Sequence, residues 1–494
     1  FFSMNNLDGS EIFEQGFTFE GQRGYSVWER VSLNDEDKEN ERLMQKRLPL
    51  SQTPSRCKEL MDALWVALFI GASQCCRVAL FSTDQAFVGY LGKAELAGAS
   101  VARNWISLSS TPVTGAVASL NTLCSQAFGA GNPKLAGLWA QLVLVATFVM
   151  SIPIVISFFF VEQIMSLFVA SCQNTNVCVL AGQFSSWTTL ALGPMMLTKI
   201  VYVFFQAIGV VSGAFYTSLL VIVVNIGFNW LFVYGLGGFG GYGFIGSPIA
   251  TACATMVQVG VFWLWTVTYK KAHTVAWGGW SLKEAVQWNR VVQFLKQAGP
   301  AMLSLSLDRW AYQILALVVA GYLDATSLAA HSVLNTIWGL VWSATHGVAI
   351  STQIGVSTNM GSQNVSRAKF RAWMGVVFNG LFVAAMAAAL WIYRGSIGKV
   401  WSRGDDVVLY VADTMFAYLC SAIVSSFVLV LERILDGMAY PNLVAYVSAI
   451  GQPWVLVLLA SGYLEQQDYK QRLSTVWYIC AANATLQMAL LTAF

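Results

Sequence analysis

Charge is scarce in this 494-residue chain: 11% of it is Asp, Glu, Lys or Arg, against 56% hydrophobic residues. Soluble domains carry roughly 25% charged residues, so the deficit excludes an ordinary soluble domain and points to a polytopic membrane protein. Histidine occurs three times, and the nine cysteines form no CxxC pair and no metal-ligand spacing with it, so no metal centre is expected. The net charge of +3 forms no basic face, which argues against a nucleic-acid partner. No glycine-rich loop carries the Lys-Ser/Thr of a phosphate-binding loop, and the stretch 235–246, GLGGFGGYGFIG, reads as a flexible external loop. No nucleophile–base or paired-acid arrangement is visible, so neither enzyme activity, catalytic residues nor a bound cofactor is expected.

What is present is long apolar runs. After a polar stretch, 1–58, twelve spans follow at about 60–91, 96–128, 135–162, 179–209, 214–235, 247–269, 297–322, 327–360, 370–393, 406–438, 443–463 and 474–494. Each has the ~20 residues a membrane crossing needs. The stretch 1–58 reads as a flexible tail and not as a signal peptide, because no apolar run follows its basic residues. Pro112, Pro153 and Pro194 fall inside spans and should bend or loosen those helices. The connection 271–296 is basic and amphipathic, suits a helix lying at the cytosolic interface, and divides the spans six and six. The expected fold is therefore all-α, with an N-lobe over 59–270 and a C-lobe over 297–494. Placing both termini in the cytosol makes the inside stretches basic (Lys46, Arg47, Lys134, Lys270, Lys271, Arg367), with Arg394, Lys399 and Arg403 as exceptions. Cys172 and Cys178 flank a polar loop and either pair or remain free thiols.

The two sets of six spans are related. Sliding the chain by 232 residues aligns 77–132 with 309–364 without a gap, and about fifteen of the fifty-six positions are identical. The matches include Arg77/Arg309, Gly115/Gly347, Ser119/Ser351, Gly129/Gly361 and Asn132/Asn364, which a shared apolar bias does not explain. Six spans per repeat make the repeats parallel, a design that places substrate in a central cavity between two lobes.

A few ionisable residues lie inside the spans, where they are costly and tend to face the bundle interior. Asp308 is about 15 Å inside the seventh span. A carboxylate among apolar side chains can load and release a proton near neutral pH; alternatively, Asp308 only neutralises Arg77 or Arg309. Glu432 and Asp436 share a face of the tenth span, and Arg433 can pair with Asp436 and leave Glu432 freer. Glu432 then either joins Asp308 in a proton or sodium site, or belongs to a wetted cluster near a helix end. Asp84, late in the first span and within a turn or two of its outer end, reads on its own as a solvated carboxylate near a helix end. Arg77 and Arg309 either attract an anionic substrate or satisfy carbonyls and acids at the lobe interface.

Residues 82–92, STDQAFVGYLG, followed by Glu95-Leu96-Ala97, resemble the first-crossing signature of multidrug and toxic compound extrusion (MATE) transporters. Residues 120–130, LNTLCSQAFGA, are similar to the eukaryotic branch's motif after the second crossing, and Asn225 and Asn229 to that family's fifth crossing. The resemblance implies twelve helices in two lobes and secondary antiport, in which a proton or sodium ion enters as an organic solute, a drug-like cation or an organic acid, leaves. It makes Asp84 an N-lobe proton site helped by Asn225 and Asn229. In the seventh crossing, Asp308-Arg309-Trp310-Ala311-Tyr312-Gln313 keeps the family's first acid. Gln313 stands where a second acid is frequent, and Arg309 where a neutral residue is usual. Tyr312 and Gln313, with Arg77, Arg309, Asn225 and Asn229, are the expected polar lining of the cavity. A lipid-linked substrate flippase of the same superfamily and a non-transporting scaffold subunit are the alternatives. The expected partners are membrane lipid and a small organic substrate, and the expected state is a monomer in the plasma membrane or a vacuolar or other organelle membrane.

Overall fold

The computed structural model describes residues 55–168, 176–323, 325–400, 404–460 and 471–493. Most of the polar tail, Cys172 with its expected pairing, Arg403 and the end of the eleventh span lie outside the described residues. Among the described residues there is no β-strand; sixteen helices, α1 to α16, are introduced below in chain order.

The first half contains α1 (Arg56–Gly89), α2 (Lys93–Ala118), α3 (Leu120–Gly129), α4 (Pro133–Phe159), α5 (Val161–Phe168), α6 (Val177–Ala207), α7 (Ser212–Asn229) and α8 (Gly246–Trp263). After the one-turn α9 (Leu282–Ala285) come α10 (Trp288–Tyr322), α11 (Ala325–Gly361), α12 (Val365–Ile392), α13 (Arg394–Ile397), α14 (Asp405–Gly437), α15 (Pro441–Ala460) and α16 (Arg472–Ala493). Eight helical segments among the described residues are long and apolar enough to cross a membrane. Their outer faces fit a bilayer. Phe148, Ile152, Ile156 and Phe159 form a stripe along α4, each about half or more exposed, and Leu219, Val223, Ile226 and Trp230 do the same from α7 onward. Stripes of this length are rare on water-facing helices and normal against lipid.

The packing order repeats. In the first half α2 lies on α6, α1 on α7, and α8 on both α6 and α7; in the second, α11 lies on α14, α10 on α15, and α16 on both α14 and α15. Between the halves α1 packs on α11 and α2 on α10. Residues 232 apart perform the same task in each half. Asn132 and Asn364 cap α4 and α12, accepting from the amides of Leu135 and Arg367. A Cβ on Gly129 would run into the Thr358 carbonyl, and one on Gly361 into the Gln126 carbonyl, itself 232 residues from Thr358. The same backbone approach recurs where Gly115 meets Met302 and Gly347 meets Gly71.

Two features differ from the sequence-based expectation, the connection 271–296 and the glycine-rich stretch. Pro112 lies inside α2, which runs on to Ala118. Proline leaves the carbonyl four residues earlier without its helical donor, and here that carbonyl, Leu108 O, accepts from Trp310 Nε1 of α10 at 3.0 Å. The connection 271–296 is not one interfacial helix: a 3₁₀ turn at Ala272–Val275 and α9 precede α10, which begins at Trp288. Buried Gln141 of α4 fixes this path, donating to Gly279 O and accepting from Ser281 N, both at 2.8 Å. The glycine-rich stretch is a folded turn. Gly235 has φ 88°, Leu236 and Phe239 exchange backbone hydrogen bonds, and Tyr242 N donates to Phe232 O at 2.6 Å.

Candidate functional site

In the first half, three helices converge on one acid. Asp84 of α1 is 4% exposed, and α7 and α8 cover it. Asn225 and Asn229 lie one turn apart on α7, so both face α1. Asn229 Nδ2 donates to Asp84 Oδ1 at 2.8 Å and to Asn225 Oδ1 at 3.0 Å, while Thr251 Oγ1 of α8 donates to Asp84 Oδ2 at 2.8 Å. Reading Asp84 as a solvated carboxylate is thus corrected: α7 and α8 cover the face of α1 that carries it. Arg103 of α2 lies within electrostatic reach of Asp84 but donates to Phe81 O at 3.1 Å and stands over the Phe184 ring. Asn229 Oδ1 has no partner among the described residues.

In the second half, Asp308 of α10 accepts from Gln452 Nε2 at 2.9 Å, with Ser448, one turn earlier on α15, beside it. Each acid is therefore served by an i, i+4 polar pair from the fifth long helix of its half. The two acids are not at equivalent depths, because Asp84 stands eight residues, about 12 Å of helix, beyond the position matching Asp308. Glu432 of α14 lies close enough to Asp308 to feel its charge. Arg433 Nη1 pairs with Asp436 Oδ2 at 2.6 Å, and its charge also reaches Glu432 and Asp308. Glu432 and Asp436 are 6% and 4% exposed, so the wetted-cluster reading is corrected; α11 and α16 cover this face of α14. Among the described residues, Asp308 forms no ion pair within 4 Å with Arg77 or Arg309, although the charges of Arg433 and Arg309 reach it.

The remaining expected lining residues are divided. Gln313 Nε2 donates to Ser107 Oγ at 3.0 Å and ties α10 to α2, while Tyr312 donates to Asn335 at 2.6 Å and turns to a small cavity beside His331 and Trp477. Neither joins Asp308. Arg309 places its guanidinium 4.9 Å from the centre of the Trp342 ring, and Trp342 stacks on His346. Arg77 bonds to Gln74 of its own helix. Lys199 of α6 donates to Thr114 Oγ1 of α2 at 2.9 Å. These three cations, from α1, α6 and α10, all feel one another's charge. Lys199, Arg103, Thr251 and Gln452 were missed by sequence reasoning; a lone Lys inside a 31-residue apolar helix was a legible signal, whereas a Thr or Gln in a span was not.

The MatE family model matches residues 70–231 and 300–460. An uncharacterized transporter of Schizosaccharomyces pombe is 28% identical over 326 residues, covering 66% of this chain and 58% of that protein. Protein DETOXIFICATION 8 of Arabidopsis thaliana is 25% identical over 416 residues, 82% of each. Multidrug and toxin extrusion protein 1 of Mus musculus is 26% identical over 366 residues, 74% of this chain and 62% of that protein. The chain thus spans about three fifths of the yeast and mouse relatives. Among solved structures, a eukaryotic MATE transporter superposes with a TM-score of 0.77 at 22% identity, over 88% of this chain and 95% of that one. A MOP superfamily transporter from Pyrococcus furiosus superposes with a TM-score of 0.76 at 14% identity, over 90% and 97%. These two share the fold.

Proposed function

The chain belongs to the MatE family, and on that premise we propose that it is a secondary antiporter, exporting an organic solute in exchange for protons or sodium. The two halves act as lobes of six spans each, 59–270 and 297–494, which rock about a central cavity with both chain ends in the cytosol. The protein works as a monomer in the plasma membrane or an organelle membrane, with lipid around it. The observation that carries this reading is the Asp308 site: an acid deep in a span, bonded to Gln452, unpaired by either central arginine and close to a second buried acid, Glu432. Two acids that repel each other hold a shared cation or proton more readily than they hold none. Its arrival relieves that repulsion and biases one conformation over the other, which is what exchange requires. Asp84 with Asn229 and Thr251 is a second cation site in the N-lobe.

The test is solute flux in proteoliposomes under an imposed proton or sodium gradient, with anionic and cationic fluorescent solutes, for wild type and Asp308→Asn. Gradient-driven flux that falls about tenfold or more in the variant is expected, as for loss of a group acting in the driven step. Equal flux in both would move coupling to Asp84. The mutually repelling cations Arg77, Lys199 and Arg309 favour a second reading, a flippase for lipid-linked anions. Scrambling of a labelled acidic lipid without solute flux would select it. No flux of any kind would leave the scaffold reading.

A further inference from the structure

Arg77, Lys199 and Arg309 come from three helices of both halves. Lys199 is anchored to Thr114 of α2, and Arg309 lies on Trp342 of α11. Where Gly71 of α1, six residues before Arg77, approaches the α11 backbone at Ser343 and Ala344, the first half meets the same helix. Charges inside a membrane protein ordinarily find an opposite charge, because desolvation alone costs several kcal/mol per ion. These do not. Among the described residues none of the three closes an ion pair within 4 Å, and their partners are Gln74, Thr114 and an aromatic ring. Of the acids nearby, Asp436 pairs with Arg433, and Asp308 accepts from Gln452 and closes no ion pair with Arg309. Nor is the cluster sealed: Arg309 is exposed, and Arg77 and Lys199 are half-buried.

We infer that the transported substrate carries an anionic group, a carboxylate, sulfonate or phosphate, which docks between the Arg77, Lys199 and Arg309 side chains. The inference rests on the transport reading above and fixes its substrate class. The counter-charge that Arg77 and Lys199 lack arrives with the substrate. An organic cation entering the same space meets three like charges. The anion touches both halves at once, because Arg77 and Lys199 belong to one and Arg309 to the other. Its binding therefore bridges the surfaces that alternating access must move.

Carboxyfluorescein (anionic) and ethidium (cationic) serve as probes for the full chain in proteoliposomes, with equilibrium binding measured in parallel on the solubilised protein. Carboxyfluorescein is expected to bind and to move under the gradient, with ethidium at least about tenfold slower. Lys199→Gln and Arg77→Gln should each weaken carboxyfluorescein binding about tenfold, and Lys199→Arg should restore it, which a merely structural role for the amine does not predict. Charge-dependent binding without flux of either probe would sink the transport reading and uphold the anion site. Flip of a labelled phosphatidylserine, lost in Lys199→Gln, would assign the anion to a lipid headgroup in place of a free acid. The inference is overturned if ethidium moves while carboxyfluorescein neither binds nor moves and no acidic lipid flips. It is equally overturned if Lys199→Gln binds carboxyfluorescein as tightly as wild type does.

Discussion

Asp84 shows how a single buried acid is made tolerable. Each of its oxygens accepts from a different helix, Asn229 of α7 and Thr251 of α8. Removing one donor leaves a buried oxygen short of a partner, which costs about 1–2 kcal/mol. Thr251→Val, nearly isosteric, should therefore lower the thermal unfolding midpoint of the purified protein, and Thr251→Ser should recover most of the loss. An unchanged midpoint in Thr251→Val would mean that the hydroxyl does not hold the carboxylate. The acid and both asparagines were legible in the sequence, because polar residues in an apolar run are conspicuous and 225 and 229 share a helix face. Thr251 was not, since a threonine can satisfy itself on the carbonyl one turn back, and Ser247 O lies 3.1 Å from Thr251 Oγ1 as a competing acceptor for its one proton.

At the scale of elements, the joint between α2 and α10 turns on a vacancy that proline creates. Leu108 O has no helical donor, because residue 112 is proline, and Trp310 supplies one from the neighbouring helix. Trp310→Phe should destabilise the protein by about 1 kcal/mol from the unpaired carbonyl, beyond any packing loss. In a Pro112→Ala background the backbone amide of residue 112 takes over, so the same substitution should cost less. A double-mutant cycle on thermal or denaturant stability reads that difference directly, and additivity of the two changes would refute the coupling. The spans were legible from apolar runs alone, yet the break at Ser119 and the path of 271–287 were not. Hydropathy reports where a chain is apolar, while Gln141, a side chain 138 residues away from Gly279, decides where the linker lies.

For the whole molecule, the 232-residue repeat is a statement about energy as well as ancestry. Gly129 meets the Thr358 carbonyl and Gly361 meets the Gln126 carbonyl, so each half offers the other the same glycine and the same backbone oxygen. Around them Thr122 Oγ1 donates to Asp436 O at 2.8 Å, Gln126 Nε2 to Gly437 O at 3.2 Å and Gln353 Nε2 to Thr122 Oγ1 at 3.0 Å. These contacts close one end of the molecule between the halves. The repeat could be read from the matched glycines, but not that the paired glycines touch the opposite half, since a sequence offset carries no direction in space. A methyl group at either position forces the halves apart, at about 1–3 kcal/mol for overpacking. Gly129→Ala and Gly361→Ala should thus lower the thermal midpoint and slow gradient-driven flux to similar extents. Gly227→Ala, on α7 with open space around it, should do neither. Equal losses at 129 and 361 follow from the pseudo-symmetry of the closed end. A loss at only one of them would show that the two halves do not share this contact equally, and would place the moving surface on one side of the axis.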